Sequence, residues 1–361
     1  MIRVLVAEDS LTVRELLVAI LERDAEFRVV GQAKNGREAV ELARELRPDL
    51  ITMDVHMPEM DGFAATKEIM VEAPTPIIIV SSSSSGREVE LSLNALRAGA
   101  LMVVPKPDDP ASPMFNGRQE QFLTMARAMA DVKVVRRWGS HRGESAAAPA
   151  PATKQAGAPR LVAMAASTGG PAALQRVLGE LPGDFAVPIL LVQHIAKGFT
   201  EGLASWLGAS SALKVKVAEH GEHLAPRTVF LAPDDRQLGV AKGDRVEVLD
   251  APPVGGFRPS ATFLFESAAR GYGPGVTAVI LTGMGRDGVA GLEHVRAAGG
   301  HVIAQDRATS VVYGMPQAAV EAGVADAVLP VDAIAGRLEA LVRGNARSVG
   351  GSITSEQGDD G

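Results

Sequence analysis

Short apolar runs alternate with stretches of helical period through the first part of the chain, and this alternation constrains the fold more than any other feature. Met1 to Ala7, Arg28 to Ala33, Leu50 to Met53, Ile77 to Val80 and Leu101 to Val104 are aliphatic or β-branched and read as buried strands. Gly36 to Leu46 and Gly86 to Ala98 carry apolar residues at helical spacing between them, with Gly or Pro loops at their ends. Such an order predicts an α/β fold with a doubly wound, five-stranded parallel sheet. Ligands of these sheets bind outside the carboxyl ends of the strands, so the residues there are the first to examine.

Those residues are unusually polar. Glu8-Asp9 ends the first strand, Asp54 ends the third just before the turn Pro58-Glu59-Met60-Asp61-Gly62, Ser81 follows the fourth, and Lys106 follows the fifth. Three acids brought together attract a hard divalent cation, and Mg²⁺ suits them because it prefers oxygen ligands and keeps several waters. Asp54 could then hold a phosphoryl group whose charge Lys106 neutralises. A structural alternative makes Asp9 the cap of a helix beginning near Leu11, and Asp61-Gly62 a turn. The joint placement favours the site. It resembles the response-regulator receiver domain over about residues 1–120, a flavodoxin-like fold. The resemblance implies Asp54 as phosphoacceptor, and a metal held by Glu8, Asp9, the Asp54 carboxylate and the His56 carbonyl. It also implies Ser81 and Lys106 as readers of the phosphoryl group. Ser82 to Ser85 reads as a loop and helix cap, and His56, two positions after the acceptor, could influence water access. Receivers commonly carry an aromatic residue three positions before the lysine, where this chain has Val103, so coupling through an aromatic rotamer is unavailable there.

At 361 residues the chain is long enough for two or three domains. It has no cysteine, which excludes disulfides and thiol catalysis and fits a reducing cytoplasm. The N-terminus reaches acids at Glu8 and Asp9 without the pattern of a signal peptide, and no run approaches the roughly 20 apolar residues of a membrane span. We therefore expect a cytoplasmic protein without membrane insertion. A formal charge of -7, with two tryptophans and two tyrosines, argues against nucleic-acid binding.

Around Arg136 to Pro159 the character changes. Ser145 to Thr153 lacks large apolar side chains, and repeated Pro and Ala neither pack nor stay helical, so a linker is expected there. Gln119 to Val135 reads as a helix closing the first domain. The expected boundaries are residues 1–120 for the receiver, 121–158 for the connecting helix and linker, 159–345 for a second domain, and 346–361 for a polar tail.

In the second domain the run Leu161 to Ala165 leads into Ala166-Ser167-Thr168-Gly169-Gly170-Pro171 and a helical pattern from Ala172 to Leu181. A serine at a strand-to-helix turn can present its hydroxyl near a helix N-terminus, where developing negative charge is favoured. Alternatively, Ser167 caps the helix and the glycines form a phosphate-binding turn. The strand Val187 to Val192 delivers Gln193-His194, and Val276 to Leu281 ends in Thr282-Gly283-Met284-Gly285-Arg286-Asp287-Gly288. Serine, histidine and aspartate at three strand ends supply a nucleophile, a general base and an orienting acid. Asp287 could instead cap a helix beginning near Gly288.

These segments are similar to the signature segments of chemotaxis protein-glutamate methylesterases, and Gly198-Phe199-Thr200, Leu231-Ala232-Pro233, Arg258-Pro259-Ser260 and Val312 to Pro316 also match that family's pattern. The similarity spans about Arg160 to Arg343. It implies a mainly parallel, doubly wound hydrolytic domain that demethylates glutamate methyl esters on methyl-accepting chemotaxis receptors, releases methanol, and deamidates specific receptor glutamines. Ser167 would be the nucleophile, His194 the base, Asp287 the orienter, and the Met284 backbone an oxyanion donor. No cofactor would serve the esterase half. A sensor histidine kinase would supply the phosphoryl group, and phosphorylation of Asp54 would raise esterase activity.

Two competing functions are a receiver-controlled protein that grips receptors without catalysis and a receiver-controlled transcription factor. Retention of all three site residues opposes the first, and the lack of a recognition helix or basic cluster opposes the second. His220 and His223 form a conceivable metal pair without a third ligand. His141, His294 and His301 read as structural or exposed. Arg236 to Asp250 alternates around Lys242-Gly243-Asp244 and predicts a β-hairpin ornamenting the sheet.

Overall fold

The alternation in the first part of the sequence becomes β1 (Ile2–Ala7), α1 (Leu11–Glu22), β2 (Phe27–Ala33), α2 (Gly36–Leu46), β3 (Leu50–Asp54), α3 (Gly62–Glu72), β4 (Ile77–Ser81), α4 (Gly86–Ala98), β5 (Met102–Pro105) and α5 (Phe115–Ala130). This is a computed structural model, and the residues it describes are 1–82, 86–107, 115–132, 134 and 159–349. Two compact units divide the chain. One is Met1–Pro149 with Ser167–Ala172 and His194–Trp206; the other is Ala150–Ala166, Ala173–Gln193 and Leu207–Gly361. The expected linker through residues 136–158, most of the Ser82 to Ser85 loop, and the tail beyond residue 349 lie outside the described residues.

The first sheet has the order β2-β1-β3-β4-β5 with every pair parallel. Helices cover both faces, which is why β3 and β4 are buried along their whole length. The strand order reverses between β1 and β3, so the crevice at their carboxyl ends is the switch point of the fold. Glu8 and Asp9 follow one of these strands and Asp54 ends the other. The caps differ from the structural alternative read in the sequence. Ser10, not Asp9, caps α1 by accepting from the Val13 N–H (3.5 Å), and Asp61 caps α3 by accepting from Ala64 (2.8 Å). α5 begins earlier than expected and ends at Ala130 rather than Val135. Gly62 is required by close approach: a Cβ there would stand 2.0 Å from the Asp54 carbonyl oxygen.

The second part contains β6 (Leu161–Ala166), α6 (Gly170–Glu180), β7 (Ile189–Gln193), α7 (Thr200–Gly208), β8 (Lys214–Val217), β9 (Thr228–Leu231), β10 (Gln237–Ala241), β11 (Arg245–Leu249), α8 (Ala261–Tyr272), β12 (Val276–Ile280), α9 (Val289–Ala297), β13 (His301–Gln305), α10 (Met315–Glu321), β14 (Ala327–Leu329) and α11 (Val331–Val349). A seven-stranded sheet runs β14-β13-β12-β6-β7-β9-β8, again with every pair parallel. Its core is apolar throughout, with Leu190, Phe230, Phe265 and Ile280 essentially buried. Each such side chain contributes about 1.5–3 kcal/mol by leaving water. The hairpin β10-β11 forms as expected, but as a separate two-stranded sheet rather than an ornament on the main one. It packs on α8, where Ser267 Oγ accepts from the Val240 N–H at 2.8 Å. α11 continues to Val349, past residue 346 where the tail was expected. Among the described residues no helix is long and apolar enough to cross a membrane.

Candidate functional site

The carboxyl edge of the first sheet gathers the predicted acids. Glu8, Asp9 and Asp54 offer oxygens that all lie within 4.8 Å of one another, and no other group of three such ligands occurs among the described residues. Glu8 and Asp54 are buried, whereas Asp9 is exposed. Lys106 reaches in from the end of β5. Its Nζ lies 3.0 Å from Asp54 Oδ2, donates to Glu8 Oε1 at 3.1 Å, and stands 3.0 Å from Glu8 Oε2. One ammonium thus faces two carboxylates. Burial, and then the neighbouring charge of Asp54, push the Glu8 carboxyl up to about 7 despite Lys106. Burial also raises Asp54, with Lys106 opposing it. Burial alone would lower Lys106, but the charges of Asp54 and Glu8 outweigh it and raise the ammonium.

Asp54 Oδ1 is buried with no hydrogen-bond donor. A buried carboxylate oxygen left without a donor costs about 1–3 kcal/mol or more, and a hard cation would remove that cost. The donor set therefore fits the divalent metal that a receiver domain implies, with Glu8, Asp9 and Asp54 as its protein carboxylates. Arg14 Nη1 donates to the Glu8 carbonyl at 2.6 Å and to the Asp9 carbonyl at 3.2 Å, which steadies the loop that carries both acids.

Ser81, the predicted phosphoryl reader, is fully buried, and its hydroxyl donates to Glu88 Oε1 at 3.0 Å. The same oxygen accepts the Ser82 N–H (2.7 Å) and the Ser82 hydroxyl (2.6 Å). Glu88 escaped the sequence reading. Its signal was there: an acid on the inward face of α4, in line with buried Ser92 and Ala95.

In the second sheet the geometry begins with register. Ala166 of β6 pairs with Gln193 of β7, so Ser167 and His194 are the residues that follow two partners on adjacent parallel strands. α6 starts at Gly170, which puts Gly169 and not Ser167 before its first turn. The Ser167 carbonyl instead accepts from the Gly170 N–H at 2.8 Å and closes the turn. β12 lies on the other side of β6, and its carboxyl end leads to the Thr282–Gly288 loop.

That loop is pinned. Thr282 N–H donates to Gln305 Oε1 (2.8 Å), the Gly283 N–H to the Val312 carbonyl (3.0 Å), and the Met315 N–H to the Gly283 carbonyl (2.8 Å). The Met284 N–H has no such commitment among the described hydrogen bonds. Asp287 caps a helix, though not the one that the alternative reading offered. Its carboxylate accepts from the Ser260 hydroxyl (2.9 Å) and the backbone N–H groups of Ala261 (2.7 Å) and Thr262 (3.1 Å), at the start of α8. α9 begins at Val289 after Gly288, whose φ of +100° turns the chain back there.

Among the described residues no third ligand joins His220 and His223 in a metal-binding group. His220 Nδ1 lies 3.1 Å from the Val248 carbonyl, and His223 forms an isolated bridge to Arg245. His301 is buried beside Asp326, with 3.4 Å between Nδ1 and the carboxylate.

Comparison with known proteins agrees with both halves. Residues 162–338 match the family described as CheB methylesterase, and residues 4–112 match the response regulator receiver domain. Protein-glutamate methylesterase/protein-glutamine glutaminase 4 of Myxococcus xanthus is 53% identical to this chain over 346 residues, covering 95% of the chain and 98% of that protein. The chain belongs to the protein-glutamate methylesterase family. Protein-glutamate methylesterase/protein-glutamine glutaminase 3 of Anaeromyxobacter dehalogenans is 54% identical, with 95% of this chain and all of that protein covered (100%). The crystal structure of the Thermotoga maritima CheB methylesterase catalytic domain superposes with a TM-score of 0.50 at 42% identity, covering 51% of this chain and 99% of that one. As a member of this family the chain is an ester hydrolase carrying a receiver domain, and family membership implies a setting in chemotaxis.

Proposed function

We propose that Ser167, His194 and Asp287 hydrolyse γ-glutamyl methyl esters on methyl-accepting chemotaxis receptors, and that phosphorylation of Asp54 raises this activity. The observation that carries the reading is the paired register of Ala166 and Gln193, which sends the nucleophile and the base off neighbouring strands at one level of a parallel sheet. Ser167 Oγ attacks the ester carbonyl as His194 takes its proton. The tetrahedral oxyanion is met by backbone N–H groups, Met284 among them, at about 2.7–4 kcal/mol per donor. Collapse breaks the carbon–oxygen bond to methoxide, which leaves as methanol with the proton from His194. Water, deprotonated by His194, then attacks the acyl-enzyme and releases glutamate and the free serine. Asp287 holds the imidazole in the required tautomer and stabilises its charged form. Deamidation of receptor glutamines follows the same path with ammonia as leaving group.

In the receiver, Mg²⁺ held by Glu8, Asp9, Asp54 and the His56 carbonyl would neutralise charge on the phosphoryl oxygens, which a sensor histidine kinase supplies. Lys106 pairs with the phosphorylated Asp54. Ser81 must turn from Glu88 to reach the phosphoryl group, and this exchange of partners gives the switch a resting position to leave. With Val103 in β5, the signal travels without an aromatic rotamer. A cysteine-free chain served by a kinase fits the cytoplasm.

The test is methanol release from methylated receptor membranes, with and without a small phosphodonor. Wild type should release methanol faster with the donor, Ser167→Ala should release none above background, and Asp54→Asn should lose the stimulation. A non-catalytic receptor binder would give no release from wild type, and equal stimulation of wild type and Asp54→Asn would end the Asp54 assignment.

A further inference from the structure

We propose that Ser260 is a positioning residue for the ester hydrolysis: it fixes the Asp287 carboxylate. The inference rests on the reading of Asp287 as the orienting acid.

Asp287 is only 7% exposed, and each of the three partners described above is a donor. Two of them, the Ala261 and Thr262 N–H groups, are among those a helix leaves unpaired at its N-terminus. Any carboxylate in this place would be drawn to them and to the positive end of the twelve-residue α8. Ser260 adds something different. Its Oγ accepts from the Phe263 N–H at 3.4 Å and has one proton to give. An ionised carboxylate can only accept, so that proton points at Asp287 Oδ1. The hydroxyl therefore joins helix cap and carboxylate in a single chain of bonds.

The serine is itself immobilised. It is fully buried, and its N–H donates to Gln237 Oε1 at 2.9 Å. The amide of Gln237 is held in turn by the Pro252 carbonyl (3.1 Å) and the Phe257 carbonyl (3.3 Å). Gln237 opens β10, so the hairpin packed on α8 sets where Ser260 stands. From the other side, the Thr262 hydroxyl accepts from the Gly288 N–H at 2.9 Å, directly after Asp287. Asp287 is thus clamped by side chain and backbone. Without the Ser260 hydroxyl, Oδ1 keeps one donor, and the carboxylate gains freedom to rotate away from the orientation that an imidazole N–H needs. Small losses of alignment at an orienting acid reach the chemical step through the base.

The experiment is a double-mutant cycle on the full chain, with methanol release as the readout and thermal unfolding as the check on folding. Ser260→Ala should lower kcat about tenfold with KM nearly unchanged, and Ser260→Thr should restore most of it. The acid limb of the pH profile should move to lower pH, because a less well placed carboxylate stabilises the imidazolium less. In the Asp287→Ala background, Ser260→Ala should cost less than about twofold. Asp287→Asn serves in its place where Asp287→Ala does not fold. Equal cost in both backgrounds, or an unmoved pH profile, would overturn the positioning role and leave Ser260 as a helix cap. A rate unchanged by Asp287→Ala itself would remove the reading of Asp287, and this inference with it.

Discussion

Glu8 should make metal binding in the receiver depend on pH in the range where cells work. Its carboxyl is pushed up to about 7 by burial and by Asp54, and a metal needs it ionised. At pH 6 about nine in ten sites then carry the competing proton, and at pH 8 about one in ten. Affinity for Mg²⁺ should therefore fall about tenfold from pH 8 to pH 6, or ~1.4 kcal/mol. Asp54 is raised in the same direction, so the fall is no smaller than this. Titration calorimetry of Mg²⁺ into the full chain at fixed ionic strength measures it directly, since screening then stays constant. Glu8→Gln should weaken binding at pH 8 and lose most of the dependence. A wild-type affinity constant within twofold across this range would refute the argument. A slope unchanged in Glu8→Gln would show that the proton sits elsewhere.

Lys106→Met should tighten Mg²⁺ by about threefold or more while abolishing phosphodonor stimulation, because the ammonium that lies 3.0 Å from Asp54 competes with a cation and, on the proposed function, would pair with the phosphoryl group; weaker Mg²⁺ binding would contradict this. Gly62→Ala should lower stability by about 2 kcal/mol or more, since its Cβ would meet the Asp54 carbonyl at 2.0 Å, and a denaturant midpoint matching wild type would rule the clash out. The His301 imidazole is lowered, chiefly by burial and against the pull of Asp326, with Arg296 and Arg337 adding to the effect. A lowered group binds its proton first in the unfolded chain, so stability should be complete above about pH 6.5 and decline as pH falls toward the folded-state value. His301→Asn should flatten that decline in urea unfolding at pH 5 and pH 7.5, and an unchanged slope would assign it to another group.

Sequence reasoning reached the strands and the residues at their carboxyl ends because both are local: a β-branched run needs burial, and the residue after it must emerge at the sheet edge. It erred where the answer lay far along the chain. Asp287 was read as the orienting acid, with a cap for the helix that follows it as the alternative, yet the helix its carboxylate caps is α8, which begins at Ala261. No spacing rule links an acid to a helix that precedes it by 26 positions. Glu88 was hidden for a related reason, since an acid at the start of a helix is usually explained by the dipole, and only the fold shows Ser81 beside it. The alternative that made Asp9 a cap arose because Ser10 and Asp9 are equally good capping types. The structure gives the cap to Ser10 and leaves the Asp9 side chain for the acid cluster.

The two buried acid sites answer one electrostatic question in opposite ways, and this separates their chemistry. Around Asp54 the neighbours are mostly other acids, one lysine is shared, and Oδ1 has no donor. Removing a carboxylate from water costs several kcal/mol, and such a set is stable only with protons or added positive charge. Burial accordingly raises both Glu8 and Asp54, and the site is one that gains by accepting a cation. Around Asp287 no acid competes among the described hydrogen bonds, and a hydroxyl and two backbone N–H groups supply donors from a helix N-terminus. Those donors are fixed dipoles that need no counter-ion. A carboxylate held in this way keeps its direction, which suits the orienting role proposed for Asp287. The same type of side chain is thus prepared for a cation in one half, and for constancy in the other.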